Sequence, residues 1–269
     1  HGKTPPVFLL LLESFNTWSV DHQLADGSYL MPVFNRLKHQ GLYIEQFYSH
    51  TVLSIKGYGV ILSGLLPVIR GDLLGSSATL RPLPAILSDH GYDTVVVKEG
   101  SGYISPHLHR YGFDKIIQAE TLLNPSDDDY ASGWGIEDGA MYRHAFRALD
   151  ALEKQPRFTM IITQYNHTSF SVPAEKRQIV PEPASLRDKF SNSIRLSDDG
   201  LAVFFEELRN RPEYADAIVI ITGDHGYPLG NHGITTTENG IYDESYRVPF
   251  LVLWPGHIEP QHIGPYDGV

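Results

Sequence analysis

The chain has 269 residues, 42% of them hydrophobic, which suits one large α/β core better than two small ones. A formal charge of −11 at pH 7 argues against a broad phosphate-tracking nucleic-acid surface, and the lack of cysteine excludes disulfides, thiolate nucleophiles and thiolate metal sites. The longest uninterrupted apolar run, 7–12, is far short of the roughly 20 residues of a membrane-spanning helix, so the chain itself reads as soluble, with no signal peptide.

In chain order, VFLLLL at 7–12 reads as a strand buried on both faces. Residues 32–40 follow as a helix with Val33, Phe34 and Leu37 on one side. The segment 47–67 starts as a polar, hydroxyl-bearing loop and runs into a helix expected to bury Val60, Ile61 and Leu62, with Ser54 just before it. Further short apolar runs at 94–97, 158–163, 217–221 and 248–253 predict strands. Between them, 140–152 repeats Ala145, Phe146, Leu149 and Leu152, and 185–208 carries Ile194, Leu201, Phe204, Phe205 and Leu208, both at helical spacing. Asp198 and Asp199 within the second of these are expected to face solvent or to cap a neighbouring element. The segments 124–130 and 172–183 read as surface loops. This alternation predicts a single α/β domain over 1–269, a mostly parallel, doubly wound sheet flanked by helices.

In such a sheet ligands collect beyond the carboxyl ends of the strands. Three predicted strands end there in groups that hold metals or move protons: Glu13 after the first, Asn166 and His167 after 158–163, Asp224 and His225 after 217–221. A carboxylate beside a neutral imidazole suits manganese or zinc. Ser54 at the start of a helix is a nucleophile candidate, because free backbone N–H groups would face an incoming phosphate and a metal would lower the pKa of the hydroxyl. Thr51 is its rival on the same grounds, and a capping role fits Ser54 equally. Trp134, between Gly133 and Gly135, reads as a packed loop anchor or a substrate wall.

The ordered set LLLLESF, MPVFNRLKHQGLYIEQFYSHT, ILSDHGYDTVVVKEG, YGFDK, WGIEDGAMY, YNHTSF, RLSDDGLAVFFEEL, VIITGDHG and RVPFLVLWPG spans almost the whole chain. It resembles the alkaline phosphatase and sulfatase superfamily, and within it the extracellular domain of lipoteichoic acid synthase-like phosphoglycerol transferases. The resemblance implies that Glu13, Ser54, Asp224 and His225 bind one divalent metal, manganese first, with zinc or magnesium as alternatives. Ser54 falls at the place of the nucleophile, which favours it over Thr51. His167 falls at the place of a histidine that contacts the phosphate or leaving group, and His232 reads as a substrate contact or a ligand of a second metal.

The resemblance further implies a covalent phosphoseryl intermediate and a phospholipid head group or glycan acceptor. It places the domain outside the cytoplasmic membrane, as a piece of a longer, membrane-anchored protein that lacks its closing C-terminal elements here. Two departures bear on substrate. Serine replaces the threonine of the transferases, as in phosphatases, and SGYISPHLHR, with Tyr103, His107, His109 and Arg110, lacks their Trp-Asn-Arg pattern for glycerol phosphate. Lys56 and Tyr58 stand where a sulfatase carries the Pro and Arg needed to convert its nucleophile, so sulfate-ester hydrolysis is not expected.

Overall fold

A computed structural model describes residues 4–66, 81–99, 108–119, 135–153, 156–237 and 240–264. Its centre is β1 (Val7–Leu12), whose six residues alternate between the two faces of an eight-stranded sheet. The other strands are β2 (Leu42–Tyr48), β3 (Asp93–Lys98), β4 (Lys115–Gln118), β5 (Arg157–Ile162), β6 (Ile218–Gly223), β7 (Arg247–Leu253) and β8 (Gln261–Ile263). They lie in the order β4-β3-β5-β1-β6-β7-β2-β8. Among the described strands only β7 runs antiparallel to its neighbours, so the mostly parallel, doubly wound architecture is as expected.

Helices cover both faces. Against one face lie α2 (Pro32–Leu37), α5 (Asp138–Asp150) and α6 (Leu186–Arg209); α1 (Trp18–Asp21) leads into α2. Phe8 on this face meets the rings of Phe146, Phe204 and Tyr214 at centroid distances of 5.6, 5.5 and 5.0 Å, contacts worth about 0.5–1.5 kcal/mol each beyond simple burial. On the other face Leu9 and Leu11 pack with Tyr58 and Leu62 of α3 (Ser54–Ser63), and Leu87 of α4 (Leu83–Asp89) joins the same cluster. Of the three residues expected to be buried in α3, Leu62 is, whereas Val60 and Ile61 are half-buried; Gly57, Tyr58 and Gly59 take the sheet side instead.

Asp198 caps a neighbour, the second of its two expected roles. From inside α6 its two carboxylate oxygens accept the Val33 and Phe34 N–H groups, at 2.8 and 2.7 Å, in the first turn of α2. Pro32 at the helix start has no N–H to satisfy, so one side chain from a distant helix supplies the cap. Burial outweighs these bonds and pushes the Asp198 carboxyl up to about 7. Asp198→Ala leaves two N–H groups without their acceptor and is expected to cost about 2–4 kcal/mol in chemical unfolding. A loss below 1 kcal/mol would show that α2 is held by its apolar face alone.

Candidate metal centre

The parallel register of β1 and β6 pairs Leu12 with Gly223, so the residues that follow, Glu13 and Asp224, leave the sheet side by side. Both are buried, with His225 beside them, and their ligand atoms lie within 4.8 Å of one another. Among the described residues this is the only such grouping of three. The turn after β1 is set by Ser14, a non-glycine residue at φ 51°, a conformation that costs of order 1 kcal/mol or more. That turn aims the Ser14 N–H at Asp224 Oδ1 (3.0 Å) and lets its hydroxyl donate to Glu13 Oε1 (2.9 Å). Asn166 donates to the Glu13 carbonyl at 3.1 Å, and the Glu13 N–H reaches Thr163 Oγ1 at 3.5 Å, so β5 steadies the same residue from its other flank.

The electrostatics ask for a cation. Burial and then the charge of Asp224 hold the Glu13 carboxyl well above the usual carboxylate range. Asp224 Oδ1 accepts two backbone N–H groups, from Ser14 and His225, while Oδ2 is buried with no hydrogen-bond partner. The His225 Nδ1–H donates to the Gly226 carbonyl at 2.8 Å, which leaves the Nε2 lone pair facing inward. Nε2 stands 3.6 Å from Glu13 Oε1 and 3.6 Å from Asp224 Oδ2, too far for hydrogen bonds and suited to sharing one ion. An orphaned buried carboxylate oxygen, a second carboxylate and an imidazole lone pair converging on one point fit a divalent metal.

Ser54 arrives from the opposite direction, on the first residue of α3. Its hydroxyl lies 3.4 Å from Glu13 Oε2 and 3.4 Å from His225 Nε2. The helix can come this close because residue 57 is glycine: a Cβ there would stand 3.1 Å from the Asp224 carbonyl oxygen. No side chain caps α3; the Lys56 and Gly57 N–H groups bond to the Leu53 carbonyl at 3.0 Å each, which leaves those of Ser54 and Ile55 at the edge of the site. Thr51, the rival nucleophile, has its hydroxyl committed to the Leu53 N–H at 3.1 Å and its methyl 3.6 Å from the position of a Gly57 Cβ. It shapes the loop that delivers Ser54. Tyr58, one turn further along, is buried against the same group; burial, then Asp224 and Glu13, drive its phenol far above its ordinary range and keep it neutral.

The other expected residues divide. Asn166 is buried behind Glu13 as a clamp on the backbone, with its Oδ1 unpartnered. His167 is half-buried on the same rim with Nδ1 on the Thr168 carbonyl (2.8 Å), and Thr168 in turn receives the Tyr227 hydroxyl, which ties this loop to the one that carries His225. His232 is not with the trio. It is exposed, stacks on Tyr242 at 3.9 Å and meets Glu244 Oε1 at 2.8 Å. Trp134, Tyr103 and His107 lie outside the described residues. Ser14 and Thr163 went unnoticed in the sequence, since neither a left-handed serine nor a clamp between strands leaves a mark in residue order; YNHTSF and ESF flanking apolar runs were the only hint.

Comparison with known proteins gives the family and the fold. Lipoteichoic acid synthase 1 of Bacillus subtilis is 27% identical over 283 residues, covering 95% of this chain, which spans 42% of that relative's length. The structure of the lipoteichoic acid synthase LtaP from Listeria monocytogenes matches with a TM-score of 0.82 at 18% identity, over 97% of this chain and 68% of that one. A protein of the alkaline phosphatase superfamily from Vibrio parahaemolyticus matches with a TM-score of 0.77 at 22% identity, over 97% and 62%. The fold is thus of the alkaline phosphatase type, and the sulfatase family model matches residues 5–267, so the chain belongs to the sulfatase family.

Proposed function

We propose that this chain is the catalytic domain of a metal-dependent phosphotransferase of the phosphoglycerol transferase kind, acting on a glycerophosphate-type phosphodiester through Ser54. The observation that carries the reading is the position of the Ser54 hydroxyl, 3.4 Å from two members of a buried Glu13, Asp224 and His225 group that asks for a cation. A divalent ion held there, manganese first and zinc or magnesium next, supplies a Lewis acid for a phosphoryl oxygen and lowers the pKa of the serine hydroxyl.

The residues do the rest. Ser54 Oγ attacks phosphorus in line, the bond from phosphorus to the leaving alcohol breaks, and a phosphoseryl intermediate forms. The N–H groups of Ser54 and Ile55, at the start of α3, hold non-bridging oxygens. His167, on the rim beside Asn166, protonates the departing oxygen and later takes the proton of the incoming hydroxyl. An acceptor hydroxyl or water then releases Ser54. Hydrolysis, or transfer of another phosphate head group, is the second reading, favoured by serine in the place of threonine. Sulfate-ester hydrolysis is disfavoured by Lys56 and Tyr58 after the nucleophile.

In the same reading the partners are a phospholipid head group and a glycan acceptor, without nucleic acid. The working place is the outer side of the cytoplasmic membrane, reached through membrane-spanning segments of a longer protein. None of the helices among the described residues is itself long and apolar enough to cross a membrane. The test is elemental analysis together with product identification from phosphatidylglycerol and from a chromogenic phosphodiester, with and without chelator. About one manganese or zinc per chain and chelator-sensitive release of head group support the reading. A protein that takes up no metal when supplied overturns it.

A further inference from the structure

Helix α3 carries two glycines, Gly57 and Gly59, in its ten residues, and glycine is a poor helix former. Its hold on the sheet therefore depends on packing. Tyr58, between the two glycines, is the largest residue of the helix and fully buried, and it packs with Leu9 and Leu11 of β1, the strand that ends in Glu13. The ring is an anchor. The hydroxyl at its tip has no part in that packing.

Tyr58 follows Ser54 by four residues, so the two share a helix face, and a long side chain on a helix leans back toward the N-terminus over the residue four before it. The phenol oxygen is thereby carried toward Ser54, into the field of Asp224 and Glu13. It is enclosed there with no hydrogen-bond partner among the described residues, a state that is costly for a buried hydroxyl. The Ser54 hydroxyl is loosely held from its other side. Its distances of 3.4 Å to Glu13 Oε2 and to His225 Nε2 are long beside the roughly 2.7–2.8 Å usual for a hydroxyl donating to oxygen. With its one hydrogen turned to either of them, Ser54 Oγ keeps lone pairs open to a donor. Asp224 Oδ2, the other unpaired atom close by, belongs to the point on which the three ligand groups converge.

We propose that Tyr58 is a positioning residue whose hydroxyl donates to Ser54 Oγ and so fixes the direction of the lone pair that attacks phosphorus. The inference rests on the reading of Ser54 as nucleophile and metal ligand, and it names the group that aims that oxygen. Donation is the role open to the phenol, because burial beside two carboxylates keeps its proton in place and rules it out as a base. A hydrogen bond to a charged oxygen is stronger than one to a neutral hydroxyl, so the contact tightens as Ser54 gives up its proton. Phenylalanine at this position keeps the anchor and deletes only the donor, which separates the two tasks of the side chain.

The test is a double-mutant cycle of Tyr58→Phe and Ser54→Ala, read by isothermal titration with manganese and by steady-state kinetics on a chromogenic phosphodiester. Tyr58→Phe should bind manganese about tenfold to a hundredfold more weakly, the usual loss when a partner behind a metal ligand is removed, and the same change should have no effect on affinity once Ser54 is alanine. At saturating manganese kcat should fall about tenfold or more with KM unchanged, since the bond acts on the attacking oxygen and not on the bound substrate. The metal-free variant should unfold at the parental Tm or above it, because the ring stays and an unpaired hydroxyl goes. Parental manganese affinity in Tyr58→Phe, parental kcat, or a loss of affinity as large without Ser54 as with it would each overturn the proposal. Failure of the underlying reading looks different. If Ser54→Ala turns over as well as the parent, the nucleophile assignment falls and this inference with it, whereas an inactive Ser54→Ala beside a Tyr58→Phe that matches the parent removes Tyr58 alone.

Discussion

Ser54→Ala is expected to lower turnover of a chromogenic phosphodiester on the order of 10⁴-fold or more, with the protein folded and its metal retained. The magnitude follows from removing the only atom that bonds to phosphorus; other covalent enzymes lose this much, or more, when the nucleophile alone is deleted. Retention of fold is expected because Ser54 makes two contacts of 3.4 Å and no cap, so little packing goes with its oxygen. The control is Thr51→Val. It deletes the rival hydroxyl, costs the Leu53 N–H its partner, and should disturb stability and KM while leaving a measurable kcat. A Ser54→Ala protein with at least a tenth of parental turnover, beside an inactive Thr51→Val protein that still folds, would transfer the nucleophile to Thr51. Rapid acid quench should also trap phosphate on the parent chain and none on the alanine variant.

The second large effect concerns stability and has opposite signs with and without metal. An ion at a hundred times its dissociation constant adds about 2.7 kcal/mol to a native state that alone binds it, which for a domain of this size raises Tm by about 5–10 °C. Glu13→Gln should abolish that rise, because one of three ligand groups is gone. In the metal-free protein the same substitution should be neutral or stabilising, since it removes one of two buried carboxylates that repel each other.

The pH dependence follows from the same raised pKa. The ordinary Glu13 value is 4.5, and the native, metal-free protein keeps its proton to higher pH than the unfolded chain does. Stability due to that proton is fully present below the ordinary value and is lost as pH rises through the raised native one. Metal competes with the proton, so its stabilising shift should be larger at pH 8 than at pH 5. Scanning calorimetry on parent and variant, with chelator and with manganese, reads all of this. A manganese shift of full size in Glu13→Gln would remove Glu13 from the site.

How much of this was visible in residue order differs from element to element. VFLLLL and VIITGDHG were legible because each is contiguous: a buried run and the chemistry that follows it sit in one stretch of chain. β2 was not, since its alternation breaks at a register shift between Ile44 and Phe47 with Glu45 and Gln46 in the gap. β4 and β8 are too short, at four and three residues, to show a period. The reversed direction of β7 is invisible in VPFLVL, because side-chain alternation is the same whichever way a strand runs. His232 looked like part of the site from its place after DHG, but it sits at a left-handed φ of 53° and pairs with Glu244 instead.

The two halves of the centre are attached to the molecule by different kinds of bond. Glu13 and Asp224 extend from neighbouring rungs of one ladder, where moving either by a fraction of an ångström would break paired backbone hydrogen bonds along both strands. Ser54 hangs from a helix that meets them through its hydroxyl, the gap at Gly57 and the buried ring of Tyr58. The ion cage is therefore stiff against change elsewhere, whereas the attacking oxygen can be retuned by shifts in α3 and the loop before it. Chains built on this plan can exchange substrates by editing loops while the chemistry at the strand ends stays as it was.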